Sequence, residues 1–152
     1  MSTVFTAIID GRIPGRFVWA DDVCVAFASI NPISPGHVLV VPREEVPQYS
    51  QASDDVVAHV AIVAKKLSLA LEQAFGAPRA AILVAGFEVP HLHVHVVPAW
   101  GEAELSFANA AAHVEDEELV SAAEKVRAAL RELGFAENVP ADVTSPALGT
   151  ED

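Results

Sequence analysis

Three of the six histidines fall in one short run, His91-Leu92-His93-Val94-His95-Val96-Val97. In an extended chain alternate side chains share a face. The spacing therefore predicts a strand with His91, His93 and His95 on one side and Leu92, Val94 and Val96 turned into a core. Neighbouring imidazoles on that side would sit about 6.6 Å apart at the rise of a strand. A fully apolar face would fold more readily, because three imidazoles in line need partners for their ring nitrogens. Two chemistries use such a row. One is metal binding, since a His-x-His pair on a strand can offer two ligands to zinc. The other is covalent catalysis. Imidazole is neutral and nucleophilic near pH 7, with an ordinary pKa of about 6.5. A central histidine can attack phosphorus if a backbone carbonyl holds its other nitrogen as the donor. Its neighbours can then donate hydrogen bonds to phosphoryl oxygens.

Such side chains need elements to hold them. Ser2 followed by residues 3–10 reads as a short helix that Gly11 ends. Residues 16–20 and 23–28 read as two strands joined at Asp21-Asp22, followed by a loop with Pro32, Pro35 and Gly36. Residues 37–41, HVLVV, read as a strand closed by Pro42. Ser53 is a plausible N-cap, with Asp54 and Asp55 suited to the helix dipole. Val56, Val60, Val63, Leu67 and Leu71 then recur at helical steps until Gly76. Residues 80–85 and 91–97 are two further strands. A last helix spans about 115–133, with Leu119, Val126, Leu130 and Leu133 on one face. Strands in two groups with a helix between them predict an α+β fold with an antiparallel sheet. Residues 1–134 form the expected domain. Residues 135–152 are expected to be a mobile acidic tail, since the stretch has Pro140, Pro146 and Gly149 and no periodicity.

Composition narrows the function. At 152 residues and 52% hydrophobic content, the chain can bury one core without disulfides or a structural metal. The uncharged stretch from Val89 to Gly101 holds three histidines and two prolines, too short and too polar for a membrane span. MSTVFTAIIDGR has no basic segment before an apolar run, so no secretory signal is expected. Cys24, the only cysteine, fits a reducing cytoplasm and excludes a multi-cysteine zinc cage. The net charge is −12: residues 1–100 hold six Lys/Arg and nine Asp/Glu, and residues 101–152 three and twelve. So acidic a surface argues against non-specific binding to nucleic acid, which needs clustered Lys and Arg. A small phosphate ligand is still compatible, because backbone N–H groups and imidazoles can hold one.

HLHVHVVP matches the pattern His-φ-His-φ-His-φ-φ, and on it the chain resembles the histidine triad (HIT) family of nucleotide hydrolases and transferases, in the form of its actinobacterial members. The likeness extends upstream through FTAIIDGRIPGRFVWADDVCVAFASINPISPGHVLVVPREEV and covers about residues 3–100. It implies a five-stranded antiparallel sheet with two main helices, dimerising into a ten-stranded sheet. It also implies a purine nucleotide substrate bound through its α-phosphate and cleaved from an amine, phosphate or acyl group; no cofactor is expected, and no metal, because in that reading His91, His93 and His95 are committed to the phosphate and no second cysteine supplements them. His93 resembles the nucleophile that becomes nucleotidylated. His91 and His95 match the flanking members that orient it and bind phosphate, and His37 matches a fourth histidine that buttresses them. Phe5, Ile8, Phe17, Trp19 and Phe27 lie where the family builds its base cleft, and Asn31 where a loop meets sugar and phosphate.

The chain departs from the family pattern at the substrate. Ser29 stands where many members use an aspartate on the ribose. Gly86 is followed by Phe87 and Glu88 where many members carry a glutamine and another polar residue. Among the other candidates, His59 reads as a boundary core residue and Cys24 as packing. His113 reads as a partner of the acidic helix start, and Trp100 either as core or as a residue reaching a partner subunit's site. Two functions stay open. One is an enzyme with His93 as nucleophile, acting on nucleoside phosphoramidates, dinucleoside polyphosphates or nucleotidylated adducts. The other is a module that binds nucleotide or metal through the same strand without turnover.

Overall fold

The computed structural model describes residues 2–149. Its sheet has five antiparallel strands in the order β1-β2-β3-β5-β4: β1 (Phe17–Ala20), β2 (Cys24–Ala28), β3 (Val38–Pro42), β4 (Arg79–Leu83) and β5 (Val94–Ala99). Three helices join it: α1 (Val4–Ile9), α2 (Asp54–Phe75) and α3 (Asp116–Glu132). Ser53 caps α2 by accepting from the Val56 N–H, and Gly76 ends it in the left-handed conformation at φ +64°. Thr3 rather than Ser2 caps α1. No helix among the described residues is long and apolar enough to cross a membrane.

The two faces of the sheet are covered unequally, and this makes room for a site. Val38 and Val40 of β3, with Val94 and Val96 of β5, face α2 and α3 across the larger core. The alternate residues Val25, Phe27, Leu39 and Val41 face the other way. There they meet the short α1, through Phe5, Ile8 and Ile9, and the loop residue Val89. The remainder of that second face is left to loops.

Three further sequence expectations change. The histidine row is not one strand, because β5 begins at Val94. His91, Leu92 and His93 belong to the approach, where the N–H groups of the first two donate to the Val89 and Val46 carbonyls. Secondly, the β1–β2 register slips between Phe17 and Trp19. Strict alternation would put both on one face; with the slip, Phe17 joins the second core and Trp19 the first. Thirdly, the stretch after residue 134 is packed at least through Val143. Val139 is buried, Asn138 Nδ2 donates to the Ala20 carbonyl at 3.1 Å, and the Phe17 N–H donates to the Val143 carbonyl at 2.7 Å. These contacts satisfy the free edge of β1, which would otherwise expose backbone groups. Buried Arg127 fastens the segment by donating to the Phe17 and Pro140 carbonyls at 3.0 and 2.8 Å. Residues 150–152 of the expected tail lie outside the described residues.

Candidate active site

A cleft of about 720 Å³ opens on the second face, a size typical of small-molecule sites. Phe5 and Ile8 of α1 and Phe27 of β2 form an apolar wall, and His37, His93 and His95 line the same cavity. Loop residues Phe87 and Glu88 stand at its rim, with Phe87 97% exposed.

Fixed partners assign the proton on each imidazole. His93 Nδ1 lies 2.7 Å from the His91 carbonyl. A carbonyl only accepts, so Nδ1 carries the hydrogen and Nε2 keeps its lone pair. The Ile33 N–H donates to His37 Nδ1 at 3.0 Å. That leaves the His37 proton on Nε2, which donates to His95 Nδ1 at 2.9 Å. His95 therefore carries its own proton on Nε2. One bare nitrogen and one N–H donor result, on adjacent rings whose centroids are 5.0 Å apart. Burial keeps the relay neutral. It pushes His37 down to about 3, with the neighbouring His95 adding to the effect. It pushes His95 down to about 4, with His93 adding to the effect.

The loop before β3 holds His37 in place. Gly36 has φ +97°, and a Cβ there would lie 2.3 Å from the Phe75 ring. A side chain at this position would force the loop away from α2. Ser34 Oγ ties the same loop to the Pro98 carbonyl of β5 at 2.7 Å.

His91 is placed differently from His93 and His95. It is 0% exposed and is not among the residues lining the cavity. Its Nε2 donates to the Pro42 carbonyl at 2.7 Å, so Nδ1 accepts from Thr3 Oγ1, also at 2.7 Å. Its carbonyl, rather than its imidazole, meets His93.

The remaining candidates divide. Phe5, Ile8, Phe27, Ser29, Asn31, Phe87 and Glu88 all line the cleft. Phe17 packs in the core beneath it, edge-on to Phe27 at 5.9 Å. Trp19 is on the opposite face, where its Nε1 donates to Asp21 at 2.8 Å. Asn31 Nδ2 donates to the carbonyls of Ala111 and Ala112 at 3.0 and 3.1 Å, so it pins the chain beyond β5 across the cleft. Sequence reasoning missed that segment, along with Arg16. Phe107 lies with its ring 4.9 Å from His95, yet residues 101–114 show no periodicity to announce it. Arg16 lines the cleft beside Ser29 and pairs with Asp116 at the start of α3. Among the described residues, Arg16 and Glu88 are the charged side chains that line the cavity.

Away from the cleft, Asp21, Cys24 and His59 form the one group of His, Cys, Asp and Glu side chains, among the described residues, close enough to share an ion. Asp21 is already saturated. It accepts from Trp19 Nε1, His59 Nε2 and the N–H groups of Val23 and Cys24. Burial raises its pKa, but these donors outweigh that and hold it below the ordinary value. Burial, reinforced by the charge of Asp21, pushes the Cys24 thiol far above its ordinary range.

The model of the HIT domain family matches residues 10–101, more than half of the chain. An uncharacterized HIT-like protein of Saccharolobus solfataricus is 38% identical over 104 residues, covering 65% of this chain and 75% of its own. Among solved structures, a Hit-like protein of Bartonella henselae, described as involved in cell-cycle regulation, superposes with a TM-score of 0.76 at 30% identity. The match covers 84% of this chain and 96% of that one. A zinc-bound histidine triad family protein of Mycobacterium smegmatis gives a TM-score of 0.76 at 28% identity, over 90% and 99% of the two chains.

Proposed function

The chain belongs to the histidine triad family, and from that membership we propose that it is a purine-nucleotide hydrolase or transferase working through a nucleotidyl-histidine. The observation that carries this reading is the proton pattern: His93 presents a bare Nε2 while His95 presents an N–H beside it. In this reading the apolar wall of Phe5, Ile8 and Phe27 takes the base. His93 Nε2 attacks the α-phosphorus, the bond to the leaving group breaks, and water then releases the nucleotide from His93. The His95 N–H meets a phosphoryl oxygen, where negative charge builds in the transition state. The net reaction is hydrolysis of the bond between the α-phosphate and its leaving group.

The charge inventory favours an amine as that group. A polyphosphate would bring several negative charges into a cleft whose one lining cation, Arg16, is already paired with Asp116, on a chain of net charge −12. A phosphoramidate adds no such charge. Zinc, which the mycobacterial relative binds, has no fitting donor set in the Asp21, Cys24 and His59 group, because the carboxylate is saturated and the thiol stays protonated. No step runs through a metal.

A homodimer belongs to the same proposal. β4 is an edge of the sheet, and Ile82 on it, with Ile62 and Leu69 of α2, exposes a large apolar side chain. The test of function is incubation with an adenosine 5′-phosphoramidate, with amine release measured and the quenched protein examined by mass spectrometry. Turnover with a nucleotidyl adduct in the wild type, and neither in His93→Ala of native circular dichroism, is expected. Binding without amine release would instead identify a non-catalytic module.

A further inference from the structure

The geometry points to Thr3 and Glu45 as positioning residues for the nucleophile, acting through His91. The inference rests on the reading of His93 as the reacting group. His91 lies at a junction. Its carbonyl accepts the His93 Nδ1–H at 2.7 Å, and its imidazole is fully buried between two partners. One is the Pro42 carbonyl, which requires a proton on Nε2. The other is Thr3 Oγ1 at 2.7 Å, which must then donate to Nδ1. The same hydroxyl oxygen accepts the Thr6 N–H at 3.2 Å and so caps α1. One Thr3 oxygen thus starts the helix and closes the last open nitrogen of His91.

Glu45, just beyond β3, holds Thr3 from the other side. Its Oε1 accepts the Thr3 N–H at 2.8 Å and also the Thr6 hydroxyl. The Thr6 hydroxyl, then the Thr3 N–H, hold the Glu45 carboxyl below the usual range. The helix fastened in this way is the one that carries the apolar wall. Phe5 sits edge-on to His91 and His93 at ring distances of 5.8 and 4.9 Å. The wall and the orientation of the nucleophile therefore share one anchor. A carbonyl that drifts would release His93 Nδ1 and allow the tautomer in which Nε2 is protonated and no longer nucleophilic.

Substitutions at Thr3 separate this role from simple capping. Asp caps a helix as well as Thr, but a carboxylate cannot donate to His91 Nδ1. Ser both caps and donates. For Thr3→Asp, kcat on the phosphoramidate should fall by about 10- to 100-fold, the usual cost of losing an outer partner that orients a functional histidine. KM should change little, and Thr3→Ser should restore the rate. Glu45→Ala should lower kcat in the same direction. The decisive readout is the ring ¹⁵N spectrum. His93 should be the Nδ1–H tautomer in the wild type and a tautomer mixture in Thr3→Asp. An unchanged kcat in Thr3→Asp, or a lowered kcat with the His93 tautomer unchanged, would overturn the inference. If the wild type releases no amine, the proposed reaction fails, and the ¹⁵N spectra still decide what Thr3 does.

Discussion

Replacing His37 tests the proton relay directly. His37 is buried and joins two groups that have no other hydrogen-bond partner among the described residues, the Ile33 N–H and His95 Nδ1. His37→Leu keeps an apolar side chain of similar bulk and orphans both. An orphaned buried group costs about 1 to 3 kcal/mol, and the half-buried Ile33 N–H falls towards the lower end of that range. In the proposed mechanism the share that falls on His95 should appear in kcat, because there a His95 with its proton on Nε2 meets the transition state. At 1.36 kcal/mol per factor of ten, that share is a loss of about 5- to 160-fold. The two lower limits together, about 2 kcal/mol, should lower Tm by about 4 to 8 °C in a domain of this size. His37→Gln offers an amide oxygen to Ile33 and an amide N–H to His95, and it should recover part of both losses. The assay is steady-state phosphoramidate hydrolysis beside thermal denaturation followed by circular dichroism. A His37→Leu protein with native structure and kcat within about twofold of wild type would refute the relay. So would a His37→Gln no better than His37→Leu.

Stability should fall in mild acid. Burial holds His37 at about 3 and His95 at about 4, both below their unfolded value, so the unfolded chain binds more protons between those values and about 6.5. Their contribution is complete above about pH 6.5 and is lost as pH falls towards 4 and then 3. Urea midpoints should drop between pH 7 and pH 4.5, less steeply in His37→Leu; a flat profile would contradict the neutral assignment. Arg127→Met removes the donors to the Phe17 and Pro140 carbonyls. It should cost about 2 kcal/mol and open residues 135–149 to proteolysis, which limited digestion would reveal. Ser29→Asp adds a carboxylate to the cleft wall. It should sharpen discrimination of ribose over 2′-deoxyribose substrates in kcat/KM, since a carboxylate can accept from both hydroxyls.

The sequence makes the framework legible where periodicity and caps agree. Ser53, the apolar spacing through Leu71 and Gly76 delimit α2 from the string of residues alone. The apolar run of HVLVV closed by Pro42 gives β3, and the Pro-Gly-His before it places His37. The sequence is silent where one residue breaks the period. The slip between Phe17 and Trp19 sends the indole away from the expected base cleft, and no residue type in FVWA marks it. β5 likewise begins only at Val94 and leaves both His91 and His93 in its approach, although the His-x-His-x-His spacing reads as an unbroken strand. The packing of residues 135–143 is hidden for a different reason. Its cause is the unsatisfied edge of β1, more than a hundred residues earlier, and a long-range backbone need leaves no local pattern.

The fourfold burial of histidine links these observations. Four imidazoles beneath one cleft would repel if charged, and desolvation alone would leave their tautomers open. Backbone atoms remove that ambiguity: the Ile33 N–H sets His37 and through it His95, the Pro42 carbonyl sets His91, and the His91 carbonyl sets His93. None of these backbone groups lies inside β5. They belong to the loop before β3, the last residue of β3 and the approach to β5. The strand supplies spacing, and its surroundings supply the direction of every proton. A graft of the HLHVH run onto another antiparallel sheet should therefore reproduce the row without the bare nitrogen that the proposed mechanism needs. Carrying Pro32 to His37, Pro42 and the α1 anchor at Thr3 along with it is the smallest transfer that keeps a bare nitrogen on His93 beside a donor on His95.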